Sequence, residues 1–161
     1  MMTSVMTQKL NTQMNLEFHA SHLYISLGNG CMTRNLPAMG VFLRIQAQKS
    51  VTRMMQLFEY IKASGTWPVI KAVDMVDNNF VSVEDVLKQL MENQALRICA
   101  LECLAEEIAF DSNLATLELI NNIRAEYQNN NEELKTFSPF SIPLPLPVNF
   151  SALPLPVVSR C

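Results

Sequence analysis

The chain has 161 residues, of which 49% are hydrophobic, enough for one domain with a substantial core. Charged residues make up 17% and the net charge is −3, which excludes a chain kept disordered by charge and a nucleic-acid binder that works by electrostatics. His19 and His22 are the only two histidines, so a multi-histidine metal site is excluded by count.

The opening stretch lacks the basic start and apolar run of a signal peptide, and no apolar run is long enough to span a bilayer. Cys31, Cys99, Cys103 and Cys161 contain no CxxC pair. A cytoplasmic setting with free thiols, and no membrane partner, is the expectation.

The first predicted helix runs from about residue 6 to 33, with Leu10, Met14, Tyr24, Leu27 and Cys31 on one stripe and Glu17 inside it. Pro37 suits the first turn of a second helix, which Leu43, Ala47, Met54, Leu57 and Ile61 continue until Gly65 stops it. Ser50 and Arg53 interrupt that apolar face. The connection over about 65 to 81 is too long for a tight antiparallel turn and predicts a crossover.

Ser82 and Asp85 have the spacing of a capping box, and Val83, Leu87, Leu90, Ile98, Leu101, Ala105 and Ile108 form the stripe of a third helix with Gln94 in its middle. Asp111, Ser112 or Asn113 can cap a fourth helix, in which Leu117, Ile120, Ile123, Tyr127 and Leu134 recur and Asn130 faces inward. The prediction is an all-α four-helix bundle over residues 1–136, with a long crossover between its second and third helices. From 137 to 161 the composition breaks. Pro139, Pro143, Pro145, Pro147, Pro154 and Pro156 forbid a helix and predict an extended apolar tail. Three readings of the tail stay open: docking in a groove, capture by a domain that reads proline-rich peptides, or an altered reading frame, which the abrupt change favours.

Leu10-Asn11-Thr12-Gln13-Met14-Asn15-Leu16-Glu17, Phe42-Leu43-Arg44, Ala47-Gln48 and the run from Leu57-Phe58-Glu59-Tyr60 to Gly65 and Pro68 resemble the ferritin superfamily, in particular the bacterial non-haem ferritins. The resemblance extends from residue 6 to about 136. It implies a di-iron ferroxidase site inside the bundle, oxidising Fe(II) to Fe(III), with one Glu on the first helix, Glu-x-x-His on the second, Glu on the third and Gln or Glu on the fourth.

Glu17 matches the first of these ligands, and Glu126 adds a carboxylate nearby. The remaining positions fall on Ser50, Arg53, Gln94, Tyr127 and Asn130, none of which is anionic. A guanidinium at residue 53 repels iron and suits an ion pair with Glu17, so the expectation is a buried ion pair in place of the metals, with Glu17 and Glu126 as the remaining candidate iron ligands. This departure resembles the ferritin-like (B-type) paralogue, whose ferroxidase centre is incomplete. The function implied is an iron-storage or iron-homeostasis subunit with impaired or lost ferroxidase activity. The alternative is a non-catalytic structural subunit that joins mixed shells with an active ferritin or serves iron supply for repair.

The partners implied are iron ions and further subunits of the same or a mixed shell. The family's continued fourth helix and its short fifth helix cannot be carried onto the tail. Met54 and Met55 at helical spacing read as core rather than haem ligands, so no haem is expected. His19 and His22 point away from Glu17, and Cys99 and Cys103 read as packing residues. The acidic residues Glu59, Glu102, Glu106, Glu107, Asp111, Glu118 and Glu126 read first as a solvated face. A DNA-protecting mini-ferritin is disfavoured, because Lys9 is the sole base of the N-terminal arm.

Overall fold

In the computed structural model, residues 2–77, 79–111 and 113–137 are described. The proline-rich segment that follows lies outside them. The chain forms α1 (Ser4–Thr33), α2 (Pro37–Ala63), α3 (Val83–Asp111) and α4 (Leu114–Lys135), and the extended residues between α2 and α3 are the crossover. The architecture is an all-α four-helix bundle, and no described residue lies in a strand.

Local chemistry sets the helix ends. Thr3 caps α1 through the Met6 N–H at 3.2 Å. Asn35 ends it in the left-handed conformation (φ 57°), where the Leu36 N–H reaches the Cys31 carbonyl at 2.9 Å. Pro37 occupies the first turn of α2, and Gly65, at φ 80°, closes that helix. The capping box before α3 is reciprocal: the Asp85 N–H donates to Ser82 Oγ and the Ser82 N–H to Asp85 Oδ2, each at 3.2 Å. Of the three candidate caps for α4, Asn113 is the residue used, accepting from the Thr116 N–H at 3.2 Å.

α1 and α2 pack closely because glycines meet at their crossing. A Cβ on Gly40 would lie 3.2 Å from the Gly28 carbonyl oxygen and 2.6 Å from Met32 Sδ, so that approach requires a hydrogen there. The predicted stripes of α1 and α2 are buried throughout. That of α3 is rotated by about one residue. Val86, Leu90, Leu101, Leu104 and Ile108 are buried, whereas Val83, Leu87, Ile98 and Ala105 are only partly so. The apolar pattern misses the true face because Asn93, Gln94 and Arg97 occupy its middle. On α4, Leu117 is turned outward and Thr116 inward.

The core consists of two apolar clusters. One gathers Met6, Leu10, Met14, Leu57, Ile61, Leu101, Leu104, Ile120 and Ile123, the other Leu23, Leu27, Cys31, Leu43, Phe80, Val86 and Leu90. A buried polar layer from all four helices lies between them: Gln13 and Glu17 on α1, Ser50 and Arg53 on α2, Asn93, Gln94 and Arg97 on α3, and Asn130 on α4.

The crossover is strapped to α1 by two asparagines. The Asn11 side chain accepts from the Val69 N–H at 2.6 Å and donates to the Trp67 carbonyl at 3.4 Å. Asn15 accepts from the Lys71 N–H and donates to the Val69 carbonyl, both at 2.7 Å. The match is geometric: four residues of helix rise about 6 Å, close to the roughly 6.8 Å spanned by two residues of extended chain. Replacing Asn15 with Ala is expected to cost about 1 kcal/mol, two exposed hydrogen bonds to the crossover being lost together with the one to the Asn11 carbonyl. It should also speed proteolytic cleavage near Lys71 well beyond the effect on global stability; unchanged cleavage would show that the strap holds nothing.

Candidate functional site: the charged layer of the bundle

Glu17 has no exposed surface and stands at the centre of the polar layer. The periodicity that buries Leu10, Met14 and Leu27 also carries Glu17 inward, so its carboxylate must be served by protein groups. Arg53 Nε donates to Glu17 Oε2 at 3.1 Å, and Arg97 Nη1 donates to Oε1 and Oε2 at 3.3 and 3.2 Å. The Tyr127 hydroxyl donates to Oε1 and accepts from Gln13 Nε2 at 2.8 Å. One carboxylate thus holds two guanidiniums and a phenol.

The arginines are held on their other edges as well. Arg53 Nη2 donates to Ser50 Oγ at 3.1 Å and Nη1 to Glu126 Oε2 at 2.9 Å. Arg97 Nε donates to Asn93 Oδ1 at 3.0 Å, one helical turn away, and Nη2 donates to the Tyr24 hydroxyl. Gln94 Nε2 donates to the Tyr127 carbonyl at 3.1 Å, and Gln13 Nε2 also reaches the Arg97 carbonyl at 3.2 Å. Both guanidiniums lie near the Tyr127 ring, their central carbons 5.4 and 5.2 Å from its centroid.

The charges balance only when Glu126 is counted. Arg53 and Arg97 bring two positive charges against the one of Glu17, and Glu126 supplies the second negative charge from a side chain that is 42% exposed. Burial is the largest single influence and eases deprotonation of each guanidinium, but Glu17 acting together with Glu126 at Arg53, and with the Tyr24 and Tyr127 phenols at Arg97, outweighs it, and both pKa values are raised. Burial pushes the Tyr24 and Tyr127 phenols above their ordinary range, with the negative charge of Glu17 adding to the rise.

The structure therefore gathers Glu17, Ser50, Arg53, Gln94, Glu126 and Tyr127 around one centre. Asn130, one turn beyond Tyr127, is 5% exposed but makes no hydrogen bond to any of them. Arg97 is the residue that apolar patterning misses. Its signal was its spacing, since it lies three residues after Gln94 and four before Leu101 on one helix face.

The other candidates lie elsewhere. His19 is exposed, and His22 is half-buried with its ring edge against Phe18 at 4.6 Å. Met54 is in the core, whereas Met55 is exposed. Glu102 pairs with Arg124 at 2.9 Å and Glu107 with Lys9 at 3.2 Å. Among the described residues, no three His, Cys, Asp or Glu side chains are grouped to hold a metal ion. Cys31 and Cys99 are free thiols, whereas Cys103 departs from the expectation and is disulfide-bonded. No described helix is long and apolar enough to cross a membrane.

Four long helices, a crossover between the second and third, and an ionisable layer at mid-bundle define a ferritin-like protein. Residues 7–138 match the family model of the ferritin-like domain. The chain is 37% identical over 136 residues to the bacterial non-heme ferritin-like protein of Escherichia coli K12, covering 84% of this chain and 81% of that one. It is 31% identical over 96 residues to the bacterial non-heme ferritin of Escherichia coli O157:H7, covering 60% and 58%. Among solved structures, Chlorobium tepidum ferritin superposes with a TM-score of 0.80 at 22% identity, covering 85% of this chain and 84% of that one. The open-pore ferritin of Archaeoglobus fulgidus superposes at 0.79 with 19% identity, covering 84% of each. The chain belongs to the ferritin-like family.

Removing one member of such a network leaves the others charged and buried. Glu17→Gln is expected to cost about 3–5 kcal/mol in chemical denaturation, and joint replacement of Glu17, Arg53 and Arg97 by Met far less than the sum of the single changes. Additive losses would contradict a coupled network. The phenols set an alkaline limit. Their pKa values are raised in the folded state, so the stability they contribute is complete below pH ~10 and is lost as pH rises beyond it, where the unfolded chain gives up protons first. Tyr127→Phe should flatten the fall of the denaturation midpoint above pH ~10.

Proposed function

We propose that this chain is a cytoplasmic ferritin-like subunit of iron storage and homeostasis that holds iron oxidised elsewhere and does not oxidise Fe(II) at the centre of its own bundle. The observation that carries this reading is the contact of Glu17 with both Arg53 and Arg97. An iron pair needs several anionic oxygen donors with room left for oxygen, and a guanidinium offers only donors and a charge it cannot shed. Ser50, Gln94 and Asn130 bring no charge, Tyr127 keeps its proton on the hydroxyl that serves Glu17, and Glu126 is engaged by Arg53. Glu17 and Glu126 are the two carboxylates from which a ligand set could start, and both are neutralised. This donor set does not fit iron.

Self-association into a shell, alone or mixed with an active ferritin, supplies the setting in which such a subunit stores iron. The second reading, a purely structural member of mixed shells or a source of iron for repair, draws on the same layer, because a closed ionic network gives the bundle a structural reason to keep its polar residues without any metal. Co-purification with a catalytic subunit favours it over independent storage.

Oxygen consumption after mixing the pure protein with Fe(II) tests the proposal. The expected rate is that of buffer alone, and a fast phase proportional to protein would overturn the reading. Restoring the family ligands as Ser50→Glu, Arg53→His and Gln94→Glu is expected to leave oxidation slow while Arg97 remains on Glu17. Adding Arg97→Met to those three should raise the rate at least tenfold, on the order of 1.4 kcal/mol in the barrier.

A further inference from the structure

Two buried amides, Gln46 and Asn130, line a small, partly open space beside the charged network. The cavity has a volume of about 10 Å³, and Tyr24, Gln46, Gln94 and Asn130 are the polar residues of its wall, with Leu90 and Leu134 among the apolar ones. Gln46 and Asn130 are 2% and 5% exposed. Gln46 Oε1 and Asn130 Nδ2 are buried and have no hydrogen-bond partner among the described residues. Leaving a buried polar atom unpaired costs about 1–3 kcal/mol, so two of opposite kind at one cavity point to a ligand that both donates and accepts.

The orientation of Gln46 is fixed from outside. Its Nε2 donates to Glu133 Oε2 at 2.9 Å, which leaves Oε1 as the face without a partner. Size and charge then select the ligand. A space this small matches one water molecule and excludes larger solutes. Among the described residues no charged side chain lines the cavity, one wall offers an N–H and another a carbonyl oxygen, so either sign of ion would meet a repulsive group and lack a counterion. Water satisfies both walls, and it serves either orientation of the Asn130 amide because it donates as readily as it accepts.

We propose that this cavity is a binding site for a single ordered water, which accepts from Asn130 Nδ2 and donates to Gln46 Oε1 and so bridges α2 and α4. The third bond typical of a buried water would come from Gln94 or Tyr24. Both are already joined to the network, Gln94 through the Tyr127 carbonyl and Tyr24 through Arg97, so the water extends that network toward the far end of α4. Asn130 also lines an open groove of about 370 Å³ together with Lys49, Glu126 and Glu133, and is therefore the partition between the water and solvent.

The test is a high-resolution crystal structure of the full chain, with Asn130→Leu beside it. The expected result is one density peak within hydrogen-bonding distance of Gln46 Oε1 and residue 130 in the native protein, refining as water with low mobility, and its loss in the variant. An empty cavity in a native map that resolves other internal waters would overturn the proposal, as would a peak with the anomalous signal of a rubidium or bromide soak. If the variant does not fold, magnetisation transfer from a long-lived water to the side-chain amide of Asn130 in the native protein decides the same question, its absence counting against the site.

Discussion

A carboxylate with no access to water, held between two guanidiniums, is the constraint from which the rest of this bundle follows. Glu17 accepts from Arg53, Arg97 and Tyr127, and each of those donors is held in turn by a residue of another element or another turn. Desolvating three charges is costly, so the arrangement is no bonus to stability compared with an apolar core of equal volume. It does restrict what can be done piecemeal. Every member stabilises the charge of another, and the layer is complete only when all four helices are in register.

That requirement shapes the packing on either side. The apolar residues divide into two clusters because the polar layer lies between them, and each cluster is sealed by residues from at least three helices. α2 and α4 are joined through polar side chains: Arg53 to Glu126, and Gln46 and Lys49 to Glu133. The first helix does three things with one stretch of sequence. Leu10 and Met14 fill the core, Gln13 and Glu17 enter the polar layer, and Asn11 and Asn15 hold the crossover on the outside. This division of labour around the helix explains why the most recognisable motif of the chain lies there.

Most of the fold was legible because period and punctuation agreed. The stripes of α1 and α2, Pro37, Gly65 and the Ser82 to Asp85 box predict the elements that form. The third helix was harder. Reading its face from apolar residues alone selects Val83, Leu87 and Ile98, whereas the true face carries Asn93, Gln94 and Arg97, whose polarity is compensated by residues far away in sequence. Arg97 belongs with Glu17 across 80 residues, and no local pattern announces such a partner. Arg53 could be read because its place is defined by family spacing, and Glu126 because it neighbours an expected ligand position. The Asn11 and Asn15 strap was hidden for a different reason: its partners are backbone groups, which no residue type signals.

What Glu17 meets at residues 53 and 97 decides whether metal can enter the centre of the bundle. With arginines there, we propose a ferritin-like subunit that stores iron in an assembly while its own centre stays closed to metal. Anomalous scattering at the iron edge, from crystals soaked aerobically in Fe(II), tests this most directly. The account predicts no iron peak within the bundle and both guanidiniums in place on Glu17. Two peaks bridged by Glu17, with Arg53 or Arg97 displaced, would contradict it.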